Sequence, residues 1–196
     1  MYNAKSDTQR NNLLQLLQDY QTDDPWQLAC RQRMMLFIQE YEMCFSRECR
    51  PGHITASAWL LDYSQQKVLL TLHKKLGLWL QLGGHVDGSA MIVEQACREA
   101  REESGILAIQ PIYTHIFDID IHEIPANTKE TAHLHFDIRF LLRVTQEHVS
   151  YRLSEESIAL QWFSHNELNS LKLDSSVCRL QRKWQVYLST TDMAME

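Results

Sequence analysis

Glu99, Glu102 and Glu103 stand at i, i+3 and i+4 in the stretch REAREES, residues 98–104. On a helix, like charges at those spacings repel by roughly 0.2–0.5 kcal/mol per pair, so the cluster needs something of opposite sign to offset it. At about 100° per residue the three carboxylates fall within an arc of roughly 100°. Hard oxygen ligands gathered on one face suit Mg²⁺ or Mn²⁺ better than zinc. Such a cation keeps open positions for water and substrate phosphates. It polarises a phosphoryl oxygen and helps make a nucleophile of bound water, while a spare carboxylate serves as general base.

The glutamates follow a glycine-rich loop, GGHVDG, residues 83–88. Gly83, Gly84 and Gly88 allow tight turns and close approach of backbone to an ion or ligand, and a loop carbonyl can coordinate a cation. Arg98 and Arg101 are placed to neutralise or orient the carboxylates, and Glu94 pairs with Arg98 at i+4. A solvated helix face would also carry Glu and Arg in runs. It would not demand a glycine pair before the helix and Gly105 after it.

Elements must hold this constellation in place. Before it, Leu13, Leu14, Leu16, Leu17 and Tyr20 recur at helical intervals after the polar opening SDTQRNN. Asp23, Asp24 and Pro25 start a second helix bearing Leu28, Met34, Met35, Phe37, Ile38 and Tyr41. RPGH at 50–53 breaks the helical pattern, which divides the chain into a helical extension over 1–50, packed on the core, and a main domain over 51–196. ITASAWLLDY and KVLLTLH read as paired strands around the turn SQQ, and LWLQL leads into the glycine loop. A helix is expected over 90–104, stopped by Gly105. Residues 112–124 alternate, with Ile116, Asp118, Asp120 and His122 on one side. AHLHFDIRFLLRV and ALQWF are further strands; residues 164–170 form a short helix, and 174–189 a last amphipathic helix with Val177, Leu180, Trp184 and Leu188. The pattern is α/β, a mixed sheet with helices around it.

Residues 84–106 resemble the signature of the Nudix hydrolases: glycine, five residues, glutamate, seven residues, then Arg-Glu-apolar-x-Glu-Glu-x-Gly-apolar. Gly84, Arg98, Glu99, Ala100, Glu102, Glu103, Gly105 and Ile106 fall in register. The resemblance implies an α/β/α sandwich around a mixed sheet, with the helical extension added before it. It implies hydrolysis of a phosphoanhydride in a nucleoside diphosphate linked to another moiety. Glu99, Glu102 and Glu103 carry over as metal ligands or base, Gly84 as a backbone-carbonyl ligand, and Arg98 as the residue orienting the carboxylates. Ala90 occupies the position of the signature's first glutamate. That departure keeps a second reading open, a non-catalytic domain of this fold that senses a nucleotide metabolite.

His133, His135, Asp137 and Arg139 alternate along one predicted strand and share a face; facing the site, they would bind phosphate, a second metal or a polar substrate group. Glu155 and Glu156 offer a further carboxylate, His73, Lys74 and Lys75 contacts to phosphates, and Trp162 and Phe163 either base stacking or core packing.

Composition sets outer bounds. With 44% hydrophobic and 22% charged residues in 196 the chain is globular, and a net charge of −6 argues against a nucleic-acid polymer. A small phosphorylated nucleotide is the expected partner. No 18-residue apolar run and no apolar leader segment are present, so no membrane span is expected and the cytoplasm is the expected location. Five cysteines without paired spacing read as free thiols, with zinc through Cys44 and Cys49 plus histidines the alternative. The Met and aromatic residues of the first two helices would serve a homodimer interface or pack on the core.

Overall fold

The computed structural model describes residues 4–126, 130–155 and 157–193. Helices α1 (Ala4–Asp19) and α2 (Pro25–Glu40) come first, then strands β1 (Gly52–Leu61), β2 (Lys67–His73), β3 (Trp79–Leu80) and β4 (Leu82–His85). Helix α3 (Ile92–Ser104) separates these from β5 (Ile109–Pro111), β6 (Asp118–Ile124), β7 (His133–Val144) and β8 (Ser157–Ser164), after which α4 (His165–Leu168) and α5 (Ser175–Met193) close the chain.

The eight strands form one mixed sheet. Its centre is the parallel pair β1 and β7, in register from Gly52 opposite Leu134 to Leu61 opposite Arg143. On the outer side of β1, β4 pairs antiparallel with its first half and β2 with its end. On the outer side of β7, β6 and β5 do the same. Both central strands are buried on two faces, which explains the near-continuous apolar run from Phe140 to Leu142 rather than a clean alternation.

Alternation still sorts side chains between two cores. Ile54, Ala56, Ala58, Leu60, Phe136, Ile138, Phe140 and Leu142 pack with α1, α2 and α3, where Phe37 stacks on Phe136 at 3.9 Å between ring centroids. Trp59, Leu61 and Leu141 pack on the opposite face with Val177, Leu180 and Trp184 of α5. The result is the expected α/β/α sandwich carrying an N-terminal helical extension. Met34, Phe37 and Ile38 of α2 are buried in it, so much of the apolar stripe expected there is core packing, while Leu28 of that stripe is exposed, as are Trp26 and Leu36.

Strand β5 has no counterpart in the sequence reading, and of the boundaries that differ from that reading three are informative. Helix α1 begins at Ala4 and takes in the polar stretch, because the apolar positions Leu13 and Leu17 dock the helix and the earlier turns extend it outward. Helix α3 begins at Ile92, with Met91 as an N-cap that makes no side-chain capping bond, so Ala90 lies before the helix. Strand β6 begins only at Asp118: Ile116 enters one core and Phe117 the other, and the segment before them is irregular.

Candidate active site

Helix α3 is amphipathic in the required sense. Ile92, Ala96, Cys97, Ala100 and Ser104 are its buried side, pressed on β1 and β4. Gly105 ends it at φ 72, a left-handed cap closed by its N–H donating to the Arg101 carbonyl. The flank next to the buried stripe then carries Glu99 and Glu103 toward the glycine strand β4. A Cβ on Gly84 would lie 2.5 Å from Glu99 Oε2, so only glycine lets this carboxylate rest on the strand backbone. The Gly83 N–H donates to Glu103 Oε2 at 3.3 Å.

Arg98 is the hub. Its Nη1 donates to both oxygens of Glu102 at 3.1 and 3.0 Å, and its Nη2 meets Glu99 Oε1 at 2.7 Å and donates to the His85 carbonyl at 2.9 Å. Burial alone would lower the Arg98 pKa; Glu99, Glu102 and Asp87 outweigh it and raise it. The guanidinium fork thus spaces two carboxylates that would otherwise repel. Its Nε takes Gln95 at 2.7 Å rather than the anticipated Glu94, because the side chain swings toward β4 where the acceptors are. Arg101 turns away from the glutamates and donates to the Leu107 and Ile109 carbonyls, fixing the chain after the helix.

Carboxylates on adjacent turns, one of them 58% and another 13% exposed, beside an open glycine backbone make a hard oxygen donor set. That set fits a divalent cation of the Mg²⁺ type, with Glu99, Glu102, Glu103 and the Gly84 carbonyl as the residues that would hold it.

The four β7 residues do share one face, and they divide into two groups. Asp137 and Arg139 are 1% and 2% exposed inside an ion network. Asp137 accepts from Thr55, Ser57 and Arg139. Arg139 also reaches Asp118, Asp120 and Ser176, and Arg179 and Lys183 from α5 complete the pairing with Asp118 and Asp120. Burial would raise the Asp118 pKa, but Arg139, Arg179 and Lys183 bring it below the ordinary carboxylate value. Three acids and three bases cancel, and both β7 side chains are fully engaged.

His133 and His135 lie at the other end of the face, among His53 of β1, His85 of β4 and His122 of β6. Ring centroids of His53 stand 4.8 Å from His135, 4.9 Å from His85 and 5.0 Å from His133. Burial, then its neighbouring cations, pulls the His53 pKa down to about 4, and His135 lies lower still for the same first reason. Sequence reasoning missed His53 and His85; nothing local marks them, since their meeting with His135 depends on strand register. No cysteine joins this group, and all five cysteines are free thiols.

The other candidates are dispersed. Glu156 lies outside the described residues, and Glu155 is exposed. The His73 ring accepts from the Leu76 N–H within its turn. Phe163 is core, edge-on to Trp79 at 4.8 Å. Trp162 borders a cavity of about 590 Å³ with Asp62, Tyr63, His148 and Tyr151, which contains none of the α3 glutamates.

A family model for the NUDIX domain matches residues 51–179. The chain is 31% identical over 113 residues to the asymmetrical bis(5'-nucleosyl)-tetraphosphatase of Rattus norvegicus, covering 57% of this chain and 74% of that protein. It is 27% identical over 111 residues to YvcI, an uncharacterized Nudix hydrolase of Bacillus subtilis (strain 168), covering 56% of this chain and 66% of that protein. Among solved structures it is similar to a C. elegans Ap4A hydrolase in a binary complex, with TM-score 0.55, 18% identity, and coverage of 70% of this chain and 98% of that one. A MutT protein from Methanosarcina mazei Go1 gives TM-score 0.53 at 19% identity, covering 70% of this chain and 95% of that one. At those identities the two structures speak to the fold alone.

Proposed function

The chain belongs to the Nudix hydrolase family, and from that premise we propose that it is a metal-dependent pyrophosphohydrolase cleaving a phosphoanhydride in a nucleoside diphosphate linked to another moiety. The observation that supports this reading is that Arg98 bridges Glu99 and Glu102, while Glu99 rests against Gly84 and Glu103 accepts from the Gly83 N–H. A pure binding domain has little use for a cluster of like charges that destabilises its own helix.

Glu99, Glu102, Glu103 and the Gly84 carbonyl would hold Mg²⁺ or Mn²⁺, which would supply charge neutralisation at the phosphoryl oxygens and a more acidic water. The chain's own residues do the rest. Arg98 holds Glu99 and Glu102 apart and oriented. A carboxylate not saturated by a cation accepts the proton of the attacking water. Glu103 is steadied by the Gly83 N–H. Because a dinucleoside tetraphosphate is the named substrate of the rat relative, dinucleoside polyphosphates lead the substrates to be tried.

The second reading, a nucleotide-metabolite sensor, is favoured by one feature: Ala90 packs as an apolar side chain against the core where the signature has a glutamate. Phosphate release from dinucleoside polyphosphates, nucleotide sugars and nucleoside triphosphates, with Mg²⁺ or Mn²⁺ and with chelator, separates the two. Turnover that needs the cation and falls about 10²–10⁴-fold in Glu102→Gln or Glu103→Gln is the expected outcome. Ligand-induced thermal stabilisation without turnover by any of these compounds would establish the sensor instead.

A further inference from the structure

We propose that His53, His85 and His135 form a second metal site, separate from the α3 glutamates, that takes a divalent transition-metal ion of the zinc type. One ring nitrogen from each lies within 4.8 Å of the others. The convergence is built by the sheet. His53 and His135 are direct partners in the parallel β1–β7 ladder, and His85 on β4 sits opposite Thr55, two positions further along the same face of β1.

Three of the ring nitrogens are buried without partners. His53 is 2% exposed, and both its nitrogens lack a hydrogen bond; His135 Nε2 is likewise buried and unpartnered. Leaving a buried polar group unsatisfied costs about 1–3 kcal/mol, and this face shows the chain able to avoid that cost, since Asp137 and Arg139 on the same strand find partners for every charged atom. The indole N–H groups of Trp59 and Trp184 are also unpartnered, but an indole offers only a donor to an apolar core. Neutral imidazoles offer lone pairs, and here these point together.

The donor set selects the ion. Three imidazole nitrogens with no carboxylate or thiolate suit zinc, nickel, cobalt or copper, and not magnesium or calcium. Zinc–nitrogen distances of about 2.0–2.1 Å place tetrahedral ligand atoms roughly 3.3 Å apart, within reach of small ring rotations from the observed spacing. Two further histidines border the three rings and are themselves held, His133 Nδ1 by the Thr131 carbonyl at 2.8 Å and His122 Nδ1 by Asp120 Oδ2 at 3.1 Å. A water bridging the three rings is the rival occupant.

The full chain, purified without a histidine tag and stripped with chelator, is titrated with Zn²⁺ and separately with Co²⁺ and Mg²⁺. The expected result is one equivalent of Zn²⁺ bound with heat release, and visible Co²⁺ absorption of tetrahedral intensity that Mg²⁺ does not displace. His85→Gln, on a half-buried ring, is expected to weaken Zn²⁺ binding by at least about tenfold, and His135→Gln likewise. Should His53→Gln not fold, these two carry the test. Zn²⁺ binding that survives in both variants and disappears in Glu102→Gln or Glu103→Gln overturns the proposal, placing the ion on the glutamates. So does the absence of stoichiometric Zn²⁺ binding to the folded wild type, which leaves water as the occupant.

Discussion

Two polar clusters sit on the same face of the same two strands, a few residues apart. At Asp137 and Arg139 every charge has a partner, drawn from β1, β6 and α5. At His53 both ring nitrogens have none, and at His135 Nε2 has none. Both clusters are inside the protein, and both break the rule that buried strand faces are apolar. The first resolves the conflict within the chain and ties β6, β7 and α5 together. The second leaves three ring nitrogens without a partner from the chain. The α3 glutamates stand between these cases: Arg98 pairs with Glu99 and Glu102 at the surface of the helix. Completeness of pairing therefore separates the Asp137–Arg139 network, which holds the fold, from the histidine cluster of the proposed second metal site.

The largest effect that tests this division is expected at Arg139. Arg139→Met strands Asp118, Asp120 and Asp137 with too few partners and should destabilise the fold by about 3–5 kcal/mol, read from the denaturant midpoint; a loss below 1 kcal/mol would mean the network is not what binds α5 to the sheet. Next comes Gly84→Ala, whose Cβ would meet Glu99 Oε2 at 2.5 Å. The carboxylate is the tip of a flexible side chain, so stability should change little while turnover drops by about 10–100-fold through misplacement of the ligand. An unchanged kcat would detach Glu99 from the chemistry.

A smaller effect belongs to pH. The His53 pKa is lowered from 6.5 to about 4 by burial and by His85, His133, Arg47 and Arg50. Between those values the unfolded chain binds a proton that the folded one refuses, so stability declines as pH falls from 6.5 toward 4, by about 1.4 kcal/mol per pH unit for each such histidine. Above 6.5 this contribution is flat. Asp118 and Asp120 are lowered below 3.8, so the network keeps its stability through this window and loses it only in stronger acid. Thermal midpoints against pH, in chelator, should show the histidine slope in wild type and a shallower one in His53→Leu. At neutral pH that same variant should lie within about 1 kcal/mol of wild type, because removing an unpaired polar group and its lone pairs costs little. A loss as large as that of Arg139→Met would show that the two clusters are alike after all.

How much of this could be read from the chain alone follows the range of the interactions. The glycine strand, α3, its Gly105 stop and the Arg98–glutamate cluster lie within about two dozen consecutive residues, and helical geometry suffices to bring Glu99, Glu102 and Glu103 together. Val177, Leu180 and Trp184 were likewise visible as one stripe of α5. Alternation put His133, His135, Asp137 and Arg139 on one face, yet it could not say which would be paired. That depends on Thr55 and Ser57 arriving from β1 and on Arg179 and Lys183 arriving from α5. His53 and His85 carried no local signal at all, since only the parallel register sets one opposite His135 and the other beside it.

That register also dictates an order of events in folding. Gly52 faces Leu134 across a parallel ladder, so everything from β2 to β6 lies in the loop that must close before the centre of the sheet exists. Contacts of such separation make for slow folding. Until β7 has been synthesised, the apolar segment Trp59–Leu61 has its neighbours on one side only, and α3 has no completed surface to dock on. A ribosome-bound chain ending before His133 would therefore expose an unpaired central strand. Truncations between β6 and β7 are expected to aggregate rather than to yield a smaller domain, while the chain that has completed β7 brings His135 beside His53 in the same collapse.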